Sequence, residues 1–240
     1  MKRVSTYGYT NIGGRKENED AGGIYIYKKN LVAVVADGLG GQGDGKAASK
    51  IAVRSLSRCG AQGDFPDEGT VSESFVEANR EILKQQKNSF HMKTTAVYLC
   101  IQGDTAIWGH IGDSRLYHFW NGELCDYTLD HSIPQVDVAL GKIRREEIPS
   151  HPRRSSLLRA LGCEDEEAQV HPPVKLKKGR HGFVLCTDGF WEYLTDQEIQ
   201  DAFCCYASAE AWIQRLFRII RSRQGADNDN NTAAAVILEV

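Results

Sequence analysis

Five apolar, strand-like runs in this 240-residue chain end on an aspartate or begin just after one. "LVAVVAD" closes on Asp37, "IWGHIGD" on Asp113 and "FVLCTD" on Asp188, while Asp20 precedes "AGGIYIY" and Asp229 precedes "NNTAAAVIL". One aspartate beside a strand is ordinary, because its side chain bonds nearby backbone and starts a turn. Five of them, two followed directly by glycine (Gly38 and Gly189), point to strands whose acidic ends converge at one end of a sheet. Carboxylates gathered in that way repel one another unless cations lie between them. A ligand set made only of oxygens suits hard ions, Mg2+ or Mn2+, rather than zinc.

The apolar spacing predicts strands over 4–10, 23–27, 31–36, 94–102, 105–111, 115–120, 182–186 and 233–238. Asn121-Gly122 marks a hairpin turn, since both residues tolerate positive φ. Strands that follow one another so closely favour antiparallel pairing. Helical spacing is clearest over 46–58, 71–86, 197–203 and 209–223; in the last, Trp212, Leu216, Ile219 and Ile220 share a face suited to packing on a sheet. Strands in runs with long helices between them predict an α+β fold with a sheet-on-sheet core flanked by helices. Residues 132–162, polar and punctuated by proline, read as an excursion from that core.

The length suits a single domain with a sizeable core. A formal charge of -3 with scattered basic residues leaves no footprint for nucleic acid. The first residues lack the apolar stretch of a signal peptide, and no apolar run approaches the ~20 residues of a membrane helix, so a cytoplasmic protein without a membrane partner is expected. Seven cysteines, none spaced C-x-x-C, are expected to be reduced and mostly buried.

The segment "VVADGLGGQGDGKAAS" (34–49) admits two nucleotide-binding readings besides the acidic one. Gly38, Gly40 and Gly43 match G-x-G-x-x-G, but Asp37 would set a negative charge beside the pyrophosphate, and the acids that follow, Asp64 and Asp67, lie outside any strand. Gly40, Gly45 and Lys46 nearly match a P-loop, but Ala47 stands where a magnesium-binding hydroxyl is required.

In motif order along essentially the whole chain, the sequence resembles the type-2C metal-dependent Ser/Thr protein phosphatases, in particular their compact bacterial branch. Arg15-Lys16-Glu17-Asn18-Glu19-Asp20 looks like R-x-x-N-E-D, and Asp37-Gly38-Leu39-Gly40-Gly41 looks like D-G-M-G-G. Gly112-Asp113-Ser114-Arg115 is G-D-S-R, Thr187-Asp188-Gly189 matches S/T-D-G, and Asp229-Asn230-Asn231-Thr232 matches D-N-x-[ST]. "DHS" (130–132) and "RALG" (159–162) bound a segment placed like the family's flap.

The resemblance implies a four-layer αββα sandwich with two mostly antiparallel sheets and a binuclear metal site at one end. Asp37 would bridge two Mn2+ or Mg2+ ions, Asp188 and Asp229 would complete one, and Glu19 with the Gly38 carbonyl the other. Asp113 with Asp188 would hold a third, weaker ion, Asp20 would orient water, and Arg15 would hold the phosphate oxygens. Paired divalent ions make hydroxide available at neutral pH for in-line attack on phosphorus, so no cysteine or serine nucleophile is needed.

Leu39 departs from the family, standing where eukaryotic members carry a histidine proposed as general acid. His110 and His131 are expected to be structural, and Asp229 rather than Asp227 keeps the D-N-x-T register. Flap residues Arg144, Arg145, Arg153 and Arg154 either contact substrate or form a solvated loop. The function expected is hydrolysis of phosphoserine and phosphothreonine in proteins by a monomer that opposes a Ser/Thr kinase. A catalytically silent phosphoprotein-binding relative is the alternative.

Overall fold

Strand β3 (Asn30–Ala36) has no polar face, and this sets the layering. Side chains alternate across a strand, so Leu31, Ala33 and Val35 enter one apolar cluster while Val32, Val34 and Ala36 enter another. A sheet built on such a strand must be covered on both sides. The computed structural model describes residues 4–40, 44–61, 63–86 and 92–240, and it supplies both covers.

One sheet has the order β1 (Val4–Asn11), β13 (Asn231–Glu239), β12 (Arg180–Cys186), β8 (Arg115–Trp120), β9 (Glu123–Tyr127). The other runs β10 (Gln169–Val170), β7 (Thr105–Ile111), β6 (Ala96–Gln102), β3, β2 (Ala21–Tyr27), with β11 (Val174–Lys175) also on β7. A small pair joins β4 (Gly38–Leu39) to β5 (Lys93–Thr94). Every pairing of these strands is antiparallel. The two large sheets face each other across Leu31, Val35, Leu99, Trp108, Phe183 and Val236.

Helices α1 (Asp44–Ser57) and α2 (Glu68–Gln85) cover the outer face of the β3 sheet through Ala48, Leu56, Phe75 and Ile82. Helices α5 (Asp196–Cys205) and α6 (Ala209–Arg223) cover the other sheet through Phe203, Trp212, Leu216 and Ile220. The result is the expected αββα sandwich.

The differences in detail have local causes. The single strand expected over 94–102 is interrupted at Thr95, whose N–H and hydroxyl turn to the Asp37 backbone. Helix α2 starts at Glu68 because Asp67 caps it, accepting from the Thr70 N–H at 2.8 Å. On α6, Ile213 is buried and Ile219 is only half-buried. The Asn121-Gly122 turn takes φ of 49° and 98° as expected, and β9 is the partner strand that it delivers. All seven cysteines are free thiols, but Cys125, Cys204 and Cys205 are exposed, so the expectation of mostly buried thiols fails for these three. Among the described residues no helix is long and apolar enough to cross a membrane.

Residues 132–162 form helix α3 (Ile133–Ala139) and a 3-10 turn (Arg145–Ser150). They are less of an excursion than their composition implies. Ile148 is buried in the α5/α6 core, and bridges Ser132–Leu157 and Thr94–Leu161 tie the segment to itself and to β5. A short helix α4 (Asp188–Trp191) follows β12 directly.

Gly182 lies in β12 under α5, where a Cβ would come within 2.4 Å of the buried Phe203 ring. Gly182→Ala should destabilise the fold by about 1–3 kcal/mol through overpacking, read as an earlier urea midpoint at unchanged slope. A midpoint equal to wild type would show that the ring moves aside freely.

Candidate active site

Strand registers alone bring the acidic residues to one end of the sandwich. In one sheet Cys186 pairs with Ala233 and with Arg115, so Asp188, Asp229 and Asp113 all lie just beyond that edge. In the other, Ala21 pairs with Ala36, and Ala96 with Ile111. Asp20 and Asp37 therefore flank each other, and Asp113 leaves the neighbouring strand at the same level. Six carboxylates from five connections meet there once Glu19, next to Asp20, is included.

Their mutual repulsion is marked. Burial, then Asp188, Asp20 and Asp113, push the Asp37 carboxyl well above the usual carboxylate range. Asp113 is raised by burial and by Asp188 and Asp130, and Asp188 by burial and by Asp229. Burial lifts Asp20 to about 7 against two threonine hydrogen bonds that pull it down. Three oxygens of this group, Glu19 Oε1, Asp20 Oδ1 and Asp188 Oδ1, are buried without a hydrogen-bond partner. Buried polar atoms are almost always paired, and hard cations take such oxygens as ligands, so the donor set fits Mn2+ or Mg2+. Among the described residues no three His, Cys, Asp or Glu side chains, as they are placed, stand together closely enough to hold a metal ion.

The backbone around these residues is held firmly. Gly38 sits so close to the chain that a Cβ would meet the Gly45 and Glu19 carbonyls at 2.3 and 2.5 Å. Gly112 needs φ of 93°, which places Asp113 beyond β7. The Asp37 N–H donates to Thr95 Oγ1 at 3.1 Å, and that hydroxyl bonds Ser114 Oγ at 2.6 Å. Beneath them Arg115 and Asp130 form a buried two-pronged ion pair at 2.8 and 2.7 Å. The Arg115 guanidinium lies 3.4 Å over the Trp191 ring, whose N–H donates to the Asp113 carbonyl at 2.9 Å.

Several supporting roles were not read from the sequence. Thr187 Oγ1 donates to Asp20 Oδ2 at 2.9 Å and accepts from the Thr232 N–H, joining both sheets. Asn230 accepts from the Glu19 N–H at 2.8 Å and donates to the Ile12 and Glu17 carbonyls, clasping the loop that carries Arg15 to Asp20. Both residues stand inside recognised motifs, which were their only signal. Glu192 had none: its carboxyl, raised by burial and by Asp188, pairs with Arg154 of the 132–162 segment.

Other expected residues take definite places. Arg15 reaches the site mouth, where its half-exposed guanidinium pairs with Asp229 at 2.8 Å. Asp227 is exposed and Asp229 is half-buried. Lys46 pairs with Glu17 at 2.7 Å, and Gly41 and Gly43 lie outside the described residues. His110 Nε2 bonds the Leu129 carbonyl at 2.7 Å and stacks on His131. Burial lowers His110, and burial with His110 alongside pushes His131 down to about 4, so both are neutral structural groups. Arg145 is no surface contact: it pairs with Asp196 and lies 3.7 Å over Tyr127, because the 3-10 turn tucks it against α5. Arg144 pairs with Glu147 along its own turn, while Arg153 is exposed.

Comparison with known proteins bears on the family and the fold. The protein phosphatase 2C family profile matches residues 7–231. Serine/threonine phosphatase stp of Listeria welshimeri is 32% identical over 196 residues, covering 78% of this chain and 77% of that protein. The solved serine/threonine phosphatase PstP/Ppp of Mycobacterium tuberculosis superposes with a TM-score of 0.85 at 28% identity, covering 99% of each chain. A structure described as the catalytic domain of PstP in complex with two manganese ions gives 0.82 at 25% identity, over 98% of this chain and 99% of that one. The chain belongs to the protein phosphatase 2C family, among bacterial serine/threonine protein phosphatases.

Proposed function

We propose that the acidic end of the sandwich binds two divalent cations, Mn2+ or Mg2+, and that the chain thereby hydrolyses phosphoserine and phosphothreonine in proteins. The observation that carries this reading is the trio of buried, unpartnered oxygens on Glu19, Asp20 and Asp188 within a group of carboxylates that raise one another's pKa. Asp37 would lie between the ions, with Asp188 and Asp229 on one side and Glu19 and the Gly38 carbonyl on the other. Asp113 with Asp188 would serve a weaker third ion. Bound there, the cations would make hydroxide available near neutral pH and offset charge on the phosphoryl oxygens.

The chain's own groups then have distinct tasks. Arg15, at the site mouth, exchanges Asp229 for phosphate oxygens, which its planar fork can grip at two points. Asp20, held by Thr187, accepts a hydrogen bond from the attacking water and fixes its direction. Leu39 offers no proton, so the leaving serine or threonine oxygen takes one from water at the open mouth. The whole chain acts as one catalytic domain with residues 132–162 as its flap, on which the exposed Arg153 is open to substrate while Arg154 is held by Glu192. The reading carries with it phosphoprotein partners, an opposing Ser/Thr kinase, and action as a cytoplasmic monomer. The silent alternative has no observation in its favour, since every expected carboxylate is present and the relatives named above are phosphatases.

Phosphate release from a phosphothreonine peptide should require Mn2+ or Mg2+, stop with EDTA, and fall by on the order of 10^3 in Asp37→Asn. Asp229→Asn should likewise lose metal-dependent turnover while Asp227→Asn keeps it; equal loss in both would place the ligand register wrongly.

The raised carboxyls also set a pH dependence for the metal-free protein. A folded pKa above the unfolded value means that the folded state binds more protons, so these carboxyls contribute stability that falls as pH rises from about 4 through about 7, while the lowered histidines His110, His118 and His131 oppose them only below about 6.5. In EDTA the melting temperature should therefore be higher at pH 6.5 than at pH 8, by about 3 °C. Mn2+ at pH 8 should restore it. A metal-free protein more stable at pH 8, or unmoved by Mn2+, would remove the binding site proposed here.

A further inference from the structure

The two large sheets each leave one edge strand beside the acidic site, β1 in one and β2 in the other. Between those edges and helix α1 lies a groove of about 810 Å3. One end reaches Asn18 and Asp20, so it is continuous with the candidate active site. Its α1 wall carries Lys46, Lys50 and Arg54, spaced four apart and therefore on one helix face. Among the described residues of the lining, Asp20, at the catalytic end, is the only acidic one. Lys46 is held by Glu17 and Arg54 by Glu81, while Lys50 is exposed midway between them.

The strand wall is low. The outward positions of β1 include Thr6, Gly8 and Thr10, and a Cβ at Gly8 would meet nothing within 4 Å. A glycine inside a strand, with open space where a side chain would be, is the form that close approach of another backbone takes. An edge strand also presents unpaired N–H and C=O groups, the means by which extended peptides add to sheets. A groove with an edge strand on one side and a basic helix face on the other, opening on the acidic site, favours an extended and negatively charged chain.

We propose that this groove seats the acidic, extended segment of a phosphoprotein that flanks the phosphorylated residue, with its backbone along β1 and its carboxylates toward Lys50. The assignment rests on the phosphatase reading above and names the sequence context that reading would prefer. It gives substrate selection a surface separate from the flap. Acidic flanks gain affinity there, and basic flanks meet like charge and are disfavoured.

Two variants separate shape from charge. Gly8→Tyr fills the groove without changing its charge, and Lys50→Glu reverses one charge without filling it. Anisotropy of a labelled, unphosphorylated peptide rich in Asp and Glu measures docking, beside a peptide with Asn and Gln in their place. Turnover of the two phosphorylated peptides and of p-nitrophenyl phosphate, all with Mn2+, measures catalysis. Wild type should prefer the acidic peptide, and each variant should weaken its binding and its kcat/KM by about fivefold or more while p-nitrophenyl phosphate turnover stays unchanged. Equal binding of the acidic and neutral peptides by wild type, or the same preference in wild type and both variants, would overturn the proposal. Self-association that Gly8→Tyr abolishes, without peptide binding, would also overturn it and assign the groove to a second copy of the chain. If wild type turns over no phosphate ester but binds the acidic peptide and loses it in both variants, the groove stands and the phosphatase reading falls.

Discussion

Repulsion among buried carboxylates is the constraint around which this molecule is organised. Beyond burial, Asp188 and Asp113 push up the pKa of Asp37, Asp188 that of Asp113 and Asp229 that of Asp188, in a setting where water cannot screen them, and Asp20 is drawn into the same field. A chain left to relax would spread such groups apart. They stay together because each is fixed at the end of a strand whose pairing is settled by apolar contacts far from the charges. The inter-sheet layer of Leu31, Leu99, Phe183 and Val236 holds both sheets in register, and the register sets the carboxylates side by side. Stability invested in the core thus sustains electrostatic strain at the end of the sandwich.

The support beneath the site follows the same logic. Arg115 belongs to the G-D-S-R sequence, yet its guanidinium points away from the carboxylates and into a buried pair with Asp130. A buried ion pair adds little net stability over an apolar pair, but breaking one by removing a partner is costly, so the contact acts as a geometric lock. Through Trp191 it fixes the Asp113 carbonyl and the start of α4, and with them the direction of Asp188. The Glu192–Arg154 pair, on the residue after α4, extends that lock to the 132–162 segment.

The sandwich has two kinds of surface near its reactive end. On the side of residues 132–162 Arg153 is exposed, together with apolar Val136, Leu140 and Leu158. On the opposite approach the edges of β1 and β2 leave a channel with a basic wall. Open sheets must leave edges somewhere, and proteins usually blunt them with charge or cover. Here α1 lies alongside β2 and faces β1 across the groove, and its Lys50 supplies the charge, so a structural necessity of the fold also provides a place for an extended chain.

How much of this could be read in advance depended on the range of each signal. Strand periodicity and the Asp-Gly pairs are local, so the αββα layering and the convergence of Asp20, Asp37, Asp113, Asp188 and Asp229 were legible from the residues and the motif order. The break at Thr95, the inward turn of Arg145, the partnership of Arg115 with Asp130 and the part played by Glu192 were not. Each depends on what a distant segment places opposite that residue, and one residue's spacing carries no record of a partner 15 to 58 positions away. Thus the sequence by itself determined which groups carry negative charge and which strand ends they terminate, because alternation and turn chemistry act within a few residues. Only the tertiary structure decided which oxygens are left without partners, which arginines remain at the surface and where a groove opens between two edges, because those follow from the registers of strands that meet through the packed core.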